Sequence, residues 1–260
     1  MKVNYHMHTK RCNHAIGEEE EYIVNAIQAG FDEVGFACHS PWQYDGKYRS
    51  HMRMQPEELD DYILKILELK DKYANQISIK IGLECEYYPK YTNWLKEFAK
   101  ENKLDYLIFG NHYHETDELR IYYGSQTIHD RMLDNYVNST IEGLKTGLYS
   151  YIAHPDLFMR ARNWDKKCEE ATHKICKFCE ENEIIMEYNL AGLRYSIVEG
   201  KMLYPHDEFW KIASTYKIKA IIGVDAHSPS NLRDTSLFEL AYKKLTDWNI
   251  EIVEDIPYLR

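Results

Sequence analysis

Val3-Asn4-Tyr5-His6-Met7-His8 is a short β-prone run with two imidazoles at its carboxyl end. Side chains alternate faces along a strand, so His6 and His8 point the same way. No G-x-G-x-x-G follows, which removes the main support for a dinucleotide-binding fold. Working outward, comparable β-branched or aromatic runs recur at 33–39, 77–87, 105–112, 150–154, 184–189 and 220–225. Between them, apolar residues three and four apart predict helices at 18–29, from 56 onward, and at 92–101, 129–145, 165–181, 205–216 and 231–248, with a last short strand at 250–253. Local signals support these assignments. Glu18 to Glu21 suit the positive end of a helix dipole and Gly30 its stop, while Pro56 opens a helix with Leu59, Ile63, Ile66 and Leu67 on one face.

Seven strand–helix units imply a parallel sheet, and that many repeats favour closure into an α/β barrel over an open doubly wound sheet. No linker, low-complexity segment or shift of composition divides the chain, so residues 1–260 read as a single domain. The balance of 32 Lys+Arg against 42 Asp+Glu gives a net charge of −10, which argues against a nucleic-acid partner. Hydrophobic residues at 44% and charged residues at 28% suit a folded core, and no apolar run reaches the roughly 20 residues of a membrane span. With no secretory-type stretch before the first strand, the expected location is cytoplasmic. The six cysteines have no framework spacing and are expected as free thiols.

The 12 histidines carry the chemistry. Six of the seven strands end in a possible metal ligand: His6 and His8, then His39, Glu84, His112, His154, and finally Asp225 with His227; His14 follows in the first loop. Such a repeat at one rim is unlike the hydrogen-bonded structural or surface histidines that His51, His114, His129, His173 and His206 are taken to be. Seven imidazoles and two carboxylates exceed what one catalytic ion takes, so more than one ion is implied. Nitrogen with carboxylate suits zinc, manganese or iron, and Glu84 can bridge two ions where a histidine cannot. Glu86 shares its face but is expected further out. Long connections at 40–55, 113–126 and 190–204 leave the carboxyl ends of strands and bring Trp42, Tyr44, Tyr48, Arg53, Arg120, Tyr122, Tyr123, Arg194 and Tyr195 to that functional rim.

Taken in order, His6-Met7-His8-Thr9 with His14, Cys38-His39-Ser40-Pro41, Gly82-Leu83-Glu84, Gly110-Asn111-His112, Ala153-His154-Pro155-Asp156 and Gly223-Val224-Asp225-Ala226-His227-Ser228-Pro229 resemble the motifs of the polymerase-and-histidinol-phosphatase (PHP) superfamily, histidinol-phosphate phosphatase branch. The resemblance implies a distorted (β/α)7 TIM-like barrel holding three divalent ions. By motif, His6, His8, Glu84 and Asp225 would hold the first, Glu84, His112 and His154 the second, and His14, His39 and His227 the third. Two departures stand out: Cys38 replaces a frequent acidic residue, and Gly110-Asn111-His112-Tyr113-His114 leaves His114 as a rival to His112.

The implied reaction is hydrolysis of a small phosphomonoester by a metal-bridging hydroxide attacking phosphorus. L-histidinol phosphate is the first candidate substrate, and a nucleotide or phosphotyrosine are alternatives. Arg160, six residues after His154, and Arg194, after the sixth strand, would bind the phosphate, with Arg162 and Arg120 in reserve. Asp156 is a possible leaving-group acid, and Glu115, Asp117 and Glu118 possible partners for an amino group. Two other classes compete: a binuclear amidohydrolase, which commonly wants a bridging lysine that Gly110-Asn111-His112 lacks, and a noncatalytic metal-binding module. A zinc clip from Cys168, His173, Cys176 and Cys179 is disfavoured, since these lie in one helical stretch.

Overall fold

A computed structural model describes residues 1–102 and 104–259. Its strands are β1 (Val3–Asn4), β2 (Glu33–His39), β3 (Ser78–Cys85), β4 (Tyr106–Phe109), β5 (Tyr151–Ile152), β6 (Ile185–Asn189), β7 (Lys219–Gly223) and β8 (Glu251–Ile252). They form one sheet in sequence order, each strand parallel to the next. The helices are α1 (Glu19–Gln28), α2 (Leu59–Lys72), α3 (Thr92–Glu101), α4 (Tyr123–Gln126), α5 (Asp130–Leu144), α6 (Lys166–Glu181), α7 (Leu190–Glu199), α8 (Asp207–Ala213), α9 (Ser230–Arg233) and α10 (Ser236–Asp247).

The distortion of the barrel lies at its seam. Past the end of β1, Met7 bridges Ala226 in parallel: the His8 amide donates to Ala226 O at 2.9 Å and the Ala226 amide to His6 O at 3.1 Å. Below this, the Val224 amide donates to Asn4 Oδ1 at 2.8 Å. At the amino end β8 lies beside β7 instead, pairing Lys219 with Glu251 and Ala220 with Ile252. Seven strands therefore close the rim that carries the predicted ligands, and the eighth is a short wedge at the opposite end.

Two cores hold the structure. Tyr5, Tyr106, Ile108, Tyr151, Ile185 and Ile221 fill the barrel, while a larger apolar layer joins the outer face of the sheet to the helices. Tyr106 crosses the interior and donates to Tyr5 O at 2.7 Å and Phe36 O at 3.0 Å. A Cβ at Gly35 or Gly82 would overlap its ring, so glycine is the residue that admits this tyrosine.

Several expectations need correction. The stretch 190–204, expected as a loop, opens with helix α7: Asn189 Oδ1 caps the Gly192 amide at 2.8 Å and Gly200 ends the helix with φ of 61°. In α2 the buried face is Leu59, Tyr62, Ile66 and Leu69; Leu67 is 42% exposed, because a tyrosine takes the position that aliphatic counting assigned to its neighbours. The expected helix over 231–248 is split into α9 and α10, with Asp234 extended and bonded to Ser236. All six cysteines are free thiols, as expected, and all six are buried. No helix among the described residues is long and apolar enough to cross a membrane.

Candidate metal centre

The strand ends converge on one carboxylate. Glu84 Oε2 lies 3.5 Å from Nε2 of both His6 and His8 and 3.0 Å from His39 Nδ1. Its other oxygen, Oε1, lies 3.0 Å from His154 Nε2 and 3.3 Å from His112 Nε2. Asp225 Oδ1 approaches His8 Nε2 at 3.2 Å, His6 Nε2 at 3.5 Å and His227 Nδ1 at 3.3 Å. The His14 ring centroid stands 5.3 Å from that of His39 and 4.7 Å from that of His227, at the exposed mouth of the group. All nine predicted ligands thus meet. Of the two rivals on the fourth strand, His112 faces Glu84, whereas His114 Nδ1 is turned to the Tyr123 hydroxyl at 3.0 Å.

The donor set fits cations. His6 Nε2, His8 Nε2, His39 Nδ1 and Asp225 Oδ1 are buried without a hydrogen-bond partner, a costly arrangement that a bound divalent ion would relieve. Burial pushes the Glu84 carboxyl up, but His112, His39 and His6 more than offset this and hold it well below the usual carboxylate range. Burial likewise lowers His112, yet Glu84 and Glu86 carry it to about 10; burial and His8 drive His227 down to about 3. Neighbouring imidazoles pushed in opposite directions mark one tightly coupled group. His154 and Asp225 also have positive φ, 30° and 48°, sparsely populated for non-glycine residues and typical of functional positions.

Behind the ligands stands a layer that the sequence reading missed. His6 Nδ1 meets Glu187 Oε1 at 2.7 Å, and Glu187 Oε2 accepts from the His154 amide at 3.1 Å and Asn189 Nδ2 at 2.8 Å. His112 Nδ1 meets Glu86 Oε1 at 3.0 Å. Glu86 is not further out, as expected, but fully buried: Arg53 grips it with two bonds of 2.9 and 3.0 Å, and Trp42 Nε1 donates at 3.0 Å. Arg53 Nε also pairs with Asp117 Oδ2 at 3.1 Å, to which Ser50 donates at 2.7 Å. The loop 40–55 is therefore pinned beneath the rim, and Asp117 is engaged by Arg53 rather than left to meet an amino group. Gly110 and Gly223 leave the space that Glu84 and Glu187 occupy, since a Cβ at either would overlap the carboxylate.

A cavity of about 320 Å³ opens over the group, walled by Met52, Tyr113, Tyr122, Leu157 and Tyr204, with His51 beside them. Neither expected phosphate-binding arginine lines it directly. Arg160 donates from Nη1 to the Tyr122 hydroxyl at 3.0 Å and lies 4.8 Å over the Tyr195 ring, bordering an adjoining groove. Arg194 is half-buried, and burial lowers its pKa. No ion pair engages either guanidinium among the described residues, whereas Arg162 is taken by Asp130 and Asp165 and Arg120 is exposed. Asp156 is turned to the amino end of α8, accepting from the His206 amide at 2.7 Å; burial raises its carboxyl to about 7. Its other oxygen is buried without a hydrogen-bond partner, and Asp156 does not line the cavity over the ligands. His173 lies on the exposed face of α6 while Cys168, Cys176 and Cys179 are buried, so no clip forms there.

Known proteins resemble the chain along most of its length. The PHP domain family matches residues 4–191. A Deinococcus radiodurans protein named "Probable histidinol-phosphatase" is 27% identical over 236 residues, 87% of this chain and 86% of its own. The histidinol-phosphatase of Bacillus subtilis is 25% identical over 257 residues, covering 89% of this chain and 95% of its own. Among solved structures, the Lactococcus lactis histidinol phosphate phosphatase complexed with zinc, L-histidinol and phosphate superposes with a TM-score of 0.75 at 18% identity, over 100% of this chain and 99% of that one. That likeness is one of fold. A barrel whose strand ends gather histidines around a shared glutamate, matched over more than half its length, places the chain in the PHP domain family.

Proposed function

We propose that the chain is a metal-dependent phosphatase of small phosphomonoesters, with L-histidinol phosphate as its substrate, hydrolysed to L-histidinol and phosphate. The observation that carries this reading is Glu84, whose two oxygens face two separate sets of imidazoles and whose neighbours are buried donors without partners. His6, His8, Glu84 and Asp225 would hold one divalent ion, Glu84, His112 and His154 a second, and His14, His39 and His227 a third, each zinc, manganese or iron. Such ions supply positive charge for phosphoryl oxygens and lower the pKa of water towards neutrality.

The chain's own residues do the rest. Glu187 and Glu86 accept from His6 and His112 and thereby present the opposite nitrogen, Nε2, to the centre. Arg194 and Arg160, which carry no carboxylate partner, take up phosphate charge with forked hydrogen bonds, Arg160 after it leaves the Tyr122 hydroxyl. Tyr113, Tyr122 and Tyr204 offer rings to a planar leaving group and keep water from the reacting end. The amidohydrolase reading loses ground, because among the described residues no lysine lines the cavity. Residues 1–260 act as a single unit, since the first and seventh strands meet at the site.

The test combines elemental analysis with phosphate release from L-histidinol phosphate, a nucleoside monophosphate and phosphotyrosine. Bound divalent metal with highest kcat/KM on L-histidinol phosphate is expected. Phosphatase activity that favours another ester would overturn the substrate, and metal without turnover of any ester would overturn the activity.

A further inference from the structure

The imidazoles at the centre differ in what stands behind them. His6 and His112 are backed by carboxylates, and His14 and His227 by carbonyl oxygens, Cys12 O at 2.6 Å and Asp225 O at 3.2 Å. His8 is backed by sulfur. Its Nε2 faces Asp225 and Glu84, which leaves Nδ1 buried and without a hydrogen-bond partner. Cys12 and Cys38 complete a group in which one nitrogen of His8 and both Sγ atoms lie within 4.8 Å of one another. All three residues are buried, at 1%, 0% and 0% exposure. Around them, Cys12 Sγ donates to Thr9 O at 3.0 Å and the Thr9 hydroxyl lies 3.5 Å from Cys38 Sγ, so small polar groups already hold the thiols in place.

We propose that His8, Cys12 and Cys38 form a second, thiophilic metal site that adjoins the phosphatase centre and shares His8 with it. Two sulfurs and one nitrogen, with no oxygen donor, select a soft cation such as Cd²⁺ or Cu⁺ over manganese or magnesium. Ligands sharing one tetrahedral ion of this kind stand roughly 3.5–4 Å apart, so the group needs only a small contraction to close. Each cysteine releases its thiol proton to solvent as its sulfur–metal bond forms, and the metal keeps its oxidation state. His8 is common to both sites. A soft ion on Nδ1 displaces the proton that this nitrogen carries while Nε2 faces the phosphatase centre; the proton passes to solvent, or to Nε2 as that nitrogen leaves the centre, so occupation of the sulfur site changes His8 as a ligand and lowers turnover. Cys38, fully buried beside Cys12, supplies the second of the two sulfurs.

Cadmium is the probe. Titrated into the full-length, manganese-loaded protein, it is expected to produce sulfur-to-metal charge-transfer absorption in the ultraviolet, while phosphate release falls with the same midpoint. The C12S and C38S variants, which preserve side-chain size, should each lose the band and at least about tenfold in cadmium affinity. Their activity, measured against each variant's own cadmium-free rate, should resist cadmium. A band that persists undiminished in both variants, arising from the other four cysteines, would overturn the site. For a variant that fails to fold, X-ray absorption at the cadmium edge of the wild-type protein decides: two sulfur neighbours support the proposal and a shell of nitrogen and oxygen alone refutes it. The activity arm rests on the phosphatase reading, but the absorption and cadmium-edge arms do not, so failure of either idea is distinguishable.

Discussion

Glu86→Gln isolates the buried layer behind the metal ligands. The carboxylate accepts four hydrogen bonds: His112 Nδ1 at 3.0 Å and Arg53 Nη2 at 2.9 Å on Oε1, then Arg53 Nη1 and Trp42 Nε1, both at 3.0 Å, on Oε2. Glutamine preserves shape but presents an NH₂ to one of these pairs, so two donors lose their acceptor whichever way the amide turns. At about 1.5–3 kcal/mol for each bond to a charged group, the loss is roughly 3–6 kcal/mol. That is a large part of the roughly 5–15 kcal/mol that holds a typical domain together. Metal affinity should fall by about 10- to 100-fold, the usual effect of removing a partner that orients a ligating histidine. Urea unfolding of the metal-free protein measures the first quantity and competition with a chelator the second. Glu86→Asp, which keeps the charge, should recover part of both. Wild-type metal affinity together with an unchanged urea midpoint in Glu86→Gln would refute the claim that this layer positions His112.

Three further substitutions address the site and its surroundings. Glu84→Gln should lower bound metal by elemental analysis and reduce kcat/KM by at least about 100-fold, because a neutral amide bridges two cations poorly; full metal occupancy would contradict the shared-ligand reading. Arg194→Ala should raise KM for phosphate esters about 10- to 100-fold, the equivalent of one lost charge-assisted interaction, with metal content intact; an unchanged kcat/KM would remove it from phosphate binding. His206 lies at the start of α8, where its Nδ1 accepts from the Glu208 amide at 3.3 Å and burial holds its pKa below the usual histidine value. The unfolded chain therefore binds the proton more readily, and the stability this histidine contributes is lost as pH falls below about 6.5. His206→Asn keeps a capping acceptor that does not titrate, so its urea midpoint should fall less than the wild type's between about pH 7.5 and 5.5, and an equal fall would refute the assignment.

The barrel was legible because its signal is local and repeated: a short β-prone run ending in a ligand, then a helical period. Metal-ligand candidates at six strand ends could be placed on one rim from strand direction alone, and the structure brings His6, His8, His39, Glu84, His112, His154 and Asp225 within contact of one another. Arg53 and Glu86 were not legible as partners, since 33 residues separate them and neither lies on a periodic face that forecasts the other. His112 and His114 share strand parity, so alternation could not choose between them; only the chain's turn after Gly110 does. Helix α7 was missed for a different reason. Its apolar residues face both inward and outward, with Leu190 and Leu193 buried but Ile197 and Val198 exposed, which blurs the helical period. The Asn189 cap and Gly200 stop were its readable signs.

The seam of the barrel and the metal centre are one structural problem. The β1 and β7 segments that close the rim share few backbone bonds, chiefly those of His8 and Ala226 with the Asn4 side chain beneath. The same two segments carry His6, His8 and Asp225, whose side chains face one another across the join. Without a cation, Asp225 Oδ1 and both Nε2 atoms are buried and unpartnered, so the seam concentrates unfavourable polar burial where backbone pairing is thinnest. An ion shared by the three side chains would convert that liability into a clamp, and one that binds only the closed form would stabilise it by about 4 kcal/mol at a thousandfold excess over Kd. Chelation should therefore act locally before it acts globally. Amide hydrogen exchange at His8 and Ala226 is expected to accelerate at least about tenfold on metal removal, with little change at amides in the long β2–β3 ladder. Uniform acceleration throughout the sheet would show that metal stabilises the whole fold rather than the join, and unchanged exchange at His8 and Ala226 would show that the seam closes without it.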